Sequence, residues 1–264
     1  MSYFSGKKVW ITGASSGIGE QLVYELAKQN ATIIISSRRK EELERVRANT
    51  NQPNQIYVMA FDQGDMNSID QAVKEVEAKF GAIDFLFNNG GISQRAEALK
   101  TSEEVERKIF EVNYFGNVRL AKRVVKKMIE QRNGHLIITS SFAGKWGFKE
   151  RSTYAAAKHA LHGYYESMRM EIEQHGIFIT LVTPGFIATE ISKSALDENG
   201  TGTGKMDLNQ SKGLPADECA RRILKGVTAK KFEFGVGGKE MLGLAIHRLF
   251  PRLFDKILRR QSSR

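Results

Sequence analysis

Short apolar runs alternate with amphipathic stretches along most of this chain. Val9-Trp-Ile11 is a brief apolar run, and Ile18, Leu22 and Leu26 then recur at helical spacing. Ala31 to Ser36 is β-branched and continuous, as expected of a strand buried on both faces. Lys40 to Ala48 reads as a charged helix, Ile56 to Phe61 as a strand, and Met66 to Phe80 as a helix with Ile69, Val73, Val76 and Phe80 on one face. Ile83 to Phe87 is a fourth strand, Glu103 to Gln131 a long helix, His135 to Thr139 a strand, Ser152 to His175 a helix and Phe178 to Val182 a strand. Pro215 and Asp217 start another helix, and Phe232 to Val236 reads as a last strand. This alternation predicts an α/β fold: a doubly wound parallel sheet in three layers, one domain over residues 1–264.

One segment breaks the rhythm. Residues 191–215 contain Asn199-Gly-Thr-Gly-Thr-Gly204, too rich in glycine for a helix or strand interior, and are expected to form a substrate lid. Charge is also uneven. The chain carries +10, and residues 221–264 hold 12 Lys and Arg against 3 Asp and Glu. The basicity therefore belongs to one end and argues against a general nucleic-acid surface. Residues 239–264 mix apolar and basic positions; such a tail suits peripheral contact with an anionic membrane, packing on a partner subunit, or cover for a site. The single cysteine, Cys219, excludes an intrachain disulfide and a Cys-cluster metal site, reads as a half-buried helix residue, and suits a cytoplasmic location. No metal site is expected, and His247 reads as an ordinary helix residue. Neither a signal peptide nor a membrane-spanning run is read from the sequence.

Polar and special residues collect where the predicted strands end, which is where ligands bind in open α/β sheets. Gly13 to Gly19 follows the first strand, Arg38 the second, Asp62 the third, Asn89 the fourth, Ser141 the fifth and Pro184 the sixth. The turn Thr12-Gly-Ala-Ser-Ser-Gly-Ile-Gly19 opens a helix, so unpaired N–H groups and a positive dipole end face a dinucleotide phosphate. Tyr154 and Lys158 lie one helical turn apart on one face, a phenol beside a cation, suited to moving a proton.

In order and spacing these motifs resemble the short-chain dehydrogenase/reductase family, in its single-domain Rossmann form, from Lys7 to about Val236. The matching residues are Thr12-Gly-x-x-x-Gly-x-Gly19, Asp62, Asn88-Asn-x-Gly91, Asn113, Ser141, Tyr154-x-x-x-Lys158 and Pro184-Gly185. Asn88-Asn-Gly-Gly departs from the usual Asn-Asn-Ala-Gly. The stretch Asn88 to Arg95 looks like the member-seven subgroup, whose substrates are lipophilic carbonyls.

The resemblance implies that Tyr154 exchanges a proton with the substrate oxygen, that Ser141 orients that oxygen, that Lys158 favours the phenolate and holds the nicotinamide ribose, and that Asn113 helps hold a water leading from Lys158 to solvent. Gly13, Ser15, Ser16, Gly17, Ile18 and Gly19 would hold the pyrophosphate. Asp62 would bind the adenine amino group with Gln63 beside it, while Asn89, Gly90 and Gly91 would line the adenosine. Pro184, Gly185, Ile187 and Thr189 would meet the nicotinamide end. The second strand ends in Ser36-Ser-Arg-Arg39 without an acid, so Arg38, aided by Ser15, favours NADP(H) over NAD(H). Ser93, Gln94 and Phe186 are candidate substrate residues, and Phe142, Trp146, Phe148 and Phe186 a candidate apolar wall. A homodimer or homotetramer is implied. The expected activity is NADP-dependent interconversion of a carbonyl and an alcohol. The alternatives are a 3-oxoacyl-thioester reductase and a non-catalytic NADP-sensing or scaffold protein.

Overall fold

The computed structural model describes residues 2–262. In chain order the elements are β1 (Lys8–Thr12), α1 (Gly17–Ala27), β2 (Thr32–Ser36), α2 (Lys40–Ala48), β3 (Ile56–Val58), α3 (Met66–Phe80), β4 (Phe85–Asn88), α4 (Glu103–Phe110) and α5 (Gly116–Glu130). Then follow β5 (Gly134–Thr139), α6 (Ser152–Ile172), β6 (Ile177–Pro184), β7 (Ile187–Ala188), α7 (Leu208–Ser211), β8 (Leu214–Pro215), α8 (Ala216–Thr228), β9 (Glu233–Val236), α9 (Leu242–Leu249) and α10 (Pro251–Ser262). Seven strands form one parallel sheet in the order β3-β2-β1-β4-β5-β6-β9.

The strands are apolar on both faces because both faces are covered. Val9, Ile11, Ile33 and Ile35 pack on the layer of α1 and α8, through Leu22, Leu26, Ile223 and Val227. Trp10, Ile34 and Leu86 face the other layer, where α3, α5 and α6 bring Val73, Leu120, Leu161 and Tyr165. Trp10 is fully buried, and its indole N–H donates to Ser36 Oγ at 2.8 Å, which satisfies its one polar group. Cys219 is likewise fully buried in the first layer, and burial pushes its thiol up to about 12, so it is a packing residue and not a nucleophile.

Two local departures from the sequence reading bear on the site. The predicted helix 103–131 is interrupted by a π-helical turn, Glu111–Phe115, between α4 and α5. A single extra residue per turn leaves the apolar spacing almost unchanged, so periodicity does not reveal it. Residues 191–215 are not structureless: Leu196 bridges Gln94 and Gly202, α7 is one short turn, and β8 pairs in parallel with β7.

Candidate active site

The chain runs outward from β1 through β2 to β3, then returns to place β4 on the other side of β1. At this reversal the turns leaving β1 and β4 open a crevice, as such sheets require. Thr12 laces its two walls together. Its hydroxyl oxygen accepts from the N–H groups of Asn89 (3.1 Å) and Gly90 (2.9 Å), and its carbonyl accepts from Asn89 Nδ2 (3.3 Å). The approach is close enough to demand glycine: Gly13 has φ +65°, and a Cβ there would lie 2.8 Å from Gly90 Cα.

A cavity of about 1560 Å³ extends from this crevice along the carboxyl edge of the sheet. Gly13, Ser15, Ser16, Gly17, Ile18, Arg38, Asp62, Gln63, Asn89, Gly90 and Gly91 line one half. Ser93, Ser141, Tyr154, Lys158, Pro184, Gly185, Phe186, Ile187 and Thr189 line the rest. Gly19 lies just behind, where a Cβ would strike the Gly13 carbonyl at 2.2 Å.

The departure from Asn-Asn-Ala-Gly has a steric account. A Cβ at Gly90 would meet Gln63 Oε1 at 2.3 Å. The Gln63 amide fills that space and donates to the carbonyls of Gly90 (3.2 Å) and Val112 (2.8 Å). Gln63 thus braces the crevice wall through these bonds, although it stood beside the adenine in the sequence reading. Asp62 spends one carboxylate oxygen on the Gly64 N–H at 2.8 Å.

At the far end of the cavity Tyr154 and Lys158 project from α6 and Ser141 from the end of β5. Both α6 side chains are almost wholly buried. Lys158 Nζ donates to the Thr139 carbonyl at 2.9 Å, and burial pulls its pKa down to about 8. Burial pushes the Tyr154 phenol up, while a hydrogen bond with Ser141 and the charge of Arg151 pull it partly back. Lys158 Nζ stands 5.9 Å from the centre of the Tyr154 ring. Burial thus outweighs the Ser141 bond and the Arg151 charge and holds the phenol above its ordinary range in this arrangement.

Asn113, in the π turn, is fully buried. Its Oδ1 accepts from the Ile92 N–H and its Nδ2 donates to the Ile92 carbonyl, both at 2.8 Å. The side chain is therefore committed to the strand-four loop, so the expected water contact would fall to other atoms.

Two substrate candidates part ways. Ser93 lines the cavity, is 2% exposed, and its hydroxyl has no hydrogen-bond partner in the protein. Gln94 is fully buried and does not line the cavity, which corrects its expected substrate role. Its Oε1 accepts from the N–H groups of Thr153 (3.0 Å) and Tyr154 (3.3 Å), and its Nε2 donates to Thr101 Oγ1 (2.7 Å). Gln94 positions the first turn of α6, and with it Tyr154. Among the aromatic candidates, Phe142, Phe148 and Phe186 line the cavity. Trp146 does not; its ring packs at 4.5 Å on Phe254 of α10 and at 5.5 Å on His247 of α9.

Sequence reading also missed several residues. Arg39, not Arg38, reaches the glycine turn: its Nη2 donates to Ser15 Oγ (2.9 Å) and Ser16 Oγ (3.2 Å). Arg45 Nη2 adds a bond to the Ser15 carbonyl (3.3 Å) and pairs with Glu20. The Arg38-Arg39 pair was the available signal, but the direction of each side chain is set by the turn into α2. Segment 191–215 is pinned by Asp207, whose Oδ2 accepts from Arg95 and, at 3.0 Å, from Arg151. Burial alone would raise its carboxyl; the N–H of Asn209 and the two guanidinium charges overcome this and hold it below the ordinary range. Leu258 of α10 completes the cavity wall.

This geometry has many counterparts. The short chain dehydrogenase family matches residues 7–200, and the chain belongs to that family of oxidoreductases. Within it the chain falls in the member-7-like subgroup. It is 35% identical over 263 residues to the Dehydrogenase/reductase SDR family protein 7-like of Drosophila melanogaster, covering 97% of this chain and 81% of that protein. It is 34% identical over 263 residues, with the same coverage, to the Dehydrogenase/reductase SDR family member 7B of Mus musculus. A short-chain dehydrogenase structure from Streptomyces avermitilis superposes with TM-score 0.81 at 25% identity, covering 97% of this chain and 99% of that one. Two further structures share the fold. One is a serine dehydrogenase complexed with NADP+ (TM-score 0.77, 23% identity, 87% of this chain and 94% of that one). The other is a short-chain dehydrogenase/reductase from Burkholderia phymatum in complex with NAD (TM-score 0.80, 20% identity, 96% and 95%). In these two neighbours the fold carries NADP+ and NAD respectively.

Proposed function

We propose that this protein is an NADP(H)-dependent carbonyl reductase acting on a lipophilic carbonyl, with the alcohol as product. The observation that carries this reading is the Tyr154 phenol beside Ser141 at the end of the cavity, with Lys158 buried behind it. The crevice fits a dinucleotide, because Gly13 and Gly90 leave backbone bare at the turn and the α1 N-terminus faces it. Arg39 and Arg38 lie where a 2′-phosphate would need cations, with Ser15 and Ser16 between. NADPH, when bound, supplies the hydride to the carbonyl carbon. Ser141 and Tyr154 hold the carbonyl oxygen, and Tyr154 Oη gives it the proton that completes the alcohol. Lys158, a cation below about pH 8, stabilises the phenolate left behind. The Ser93 hydroxyl, buried and unpaired, adds a donor for a second polar group of the substrate.

Phe142, Phe148, Phe186, Leu196, Met206 and Leu258 support an apolar substrate, and segment 191–215 acts as its lid. The α9–α10 tail leaves Leu242, Leu249, Phe250 and Leu253 exposed among Arg248, Arg252 and Lys256, which suits peripheral contact of a cytoplasmic enzyme with an anionic membrane. Among the described residues no helix is long and apolar enough to cross one. Phe115 and Met170, exposed on the π turn and α6, support a homo-oligomeric face.

The test is NADPH oxidation with a panel of steroid, retinoid, small aromatic and 3-oxoacyl-thioester carbonyls. One lipophilic group turns over, Tyr154→Phe lowers its rate by roughly 10²–10⁴-fold while cofactor affinity is kept, and the rate falls as pH rises through about 8 because Lys158 loses its charge. Full turnover by Tyr154→Phe would remove the proposed acid. Cosedimentation with phosphatidylserine vesicles, lost on deleting residues 239–264, checks the membrane contact; binding that survives the deletion defeats it.

A further inference from the structure

One turn beyond Lys158 along α6 lies a group of residues that the reaction does not use. His162 and Glu166 stand one turn apart on α6, and Glu233 faces them from β9. One ligand atom from each lies within 4.8 Å of the others. The nearest approach of the imidazole to an acid is His162 Nδ1 to Glu166 Oε1, at 3.9 Å.

The imidazole is anomalous for its burial. His162 is 6% exposed, yet neither ring nitrogen has a hydrogen-bond partner. Buried imidazoles ordinarily find partners, and an orphan calls for an explanation. His135 in the same molecule shows the ordinary case: 3% exposed, with Nε2 2.8 Å from Thr180 Oγ1. The two nitrogens of His162 are also unequal. Nε2 faces Gly144, where a Cβ would lie 3.1 Å from it, so nothing larger fits there. Nδ1 faces Glu166, and a Glu233 oxygen lies within 4.8 Å of the group. Glu233 is balanced by the Lys145 ammonium at 2.6 Å, so one cation already sits against the acidic arm.

The geometry points to a divalent transition-metal site, of the zinc type, formed by His162 Nδ1, Glu166 and Glu233. One imidazole and two carboxylates are a donor set for such ions, with a fourth position left to water. Metal–ligand bonds of about 2.0–2.2 Å bring ligand atoms to roughly 3.4 Å from one another. The present spacing closes to that when the half-exposed Glu166 and the partly exposed Glu233 each move by about 1 Å. Lys145, which has solvent beside it, leaves Glu233 as the metal enters. The ion would tie α6 to β9 and steady the turn Phe142–Gly144, which follows Ser141 and rests on His162. Glu233 lies 67 positions after Glu166 on another element, so the sequence shows only the His162–Glu166 pair and no complete metal spacing.

The test uses the full chain with Zn²⁺ or Co²⁺ alone. Calorimetry with Zn²⁺ is expected to give one site per chain, and Co²⁺ to develop the visible absorption of an imidazole–carboxylate complex. Glu166→Gln and Glu233→Gln, both at partly exposed carboxylates, each weaken binding by about tenfold or more. His162→Asn abolishes it, and if that variant fails to fold the two glutamine variants carry the test. Zn²⁺ raises the melting temperature of the parent and leaves that of the Glu166→Gln/Glu233→Gln double variant unmoved. No saturable binding, or binding indifferent to both glutamine substitutions, overturns the site. None of these readouts depends on turnover.

Discussion

Around Thr12 to Gly19 and Asn88 to Gly91 the cavity is built from backbone in close approach, whereas around Ser93, residues 191–215 and α10 it is built from side chains that meet across long stretches of chain. In the first region the constraint is steric and local. Gly13 cannot carry a Cβ because Gly90 Cα is there, and a Cβ at Gly90 would have to displace the Gln63 amide. In the second region the constraint is electrostatic and remote. Asp207 joins Arg95, 112 residues away, to Arg151, 56 residues away. Backbone geometry of this kind tolerates few sequences, and a short motif records it. Contacts between distant side chains admit many solutions, and no motif records them.

Three tests, with four substitutions, would break or sharpen this contrast. The largest effect is expected from Gly13→Ala. It forces an L-residue to φ +65° and a methyl to 2.8 Å from Gly90 Cα, so NADPH affinity falls by roughly 10–100-fold, read by nucleotide fluorescence titration. Affinity within twofold of the parent would mean the turn yields freely and the steric account is wrong. Next is Asp207→Asn, which loosens both arginines. It should raise KM about tenfold, leave NADPH affinity unchanged, and expose residues 197–204 to limited proteolysis. A cofactor defect without a KM change would place Asp207 in the wrong half. The paired arginines come last, with an effect no larger than that of Asp207→Asn. Arg39→Ala should cost about tenfold in NADPH affinity with little change for NADH, and more than Arg38→Ala costs. The reverse ranking would return the role to Arg38.

The alternating elements were legible because strands covered on both faces must be continuously apolar, as Ile33 to Ile35 are, while their helices show one apolar stripe. The residues at strand ends were legible for the same reason: the sheet fixes where each strand stops. What the sequence concealed followed from side-chain direction. Gln94 looked toward substrate by position, yet its amide turns inward to the start of α6. Trp146 looked like a cavity wall, yet it holds α9 and α10 in place. The π turn at Glu111–Phe115 left no trace in the apolar spacing, although it presents Asn113 to Ile92. The orphaned imidazole of His162 has no sequence signal, because burial without partners is a property of the packed state.

The interior position of β1, between β2 and β4, has a kinetic consequence. Its neighbours are β2, which follows within some twenty residues, and β4, whose paired residues lie 76 positions further on. As the chain is synthesised, the first βα units emerge with one long edge of β1 bare. The hydroxyl of Thr12 waits for Asn89 and Gly90 before the phosphate turn has its second wall. Closing a loop of that size comes late and slowly in folding. Nucleotide capture at this turn requires that the two halves of the sheet have met, and a nicotinamide nucleotide added during refolding would report that event rather than the first collapse.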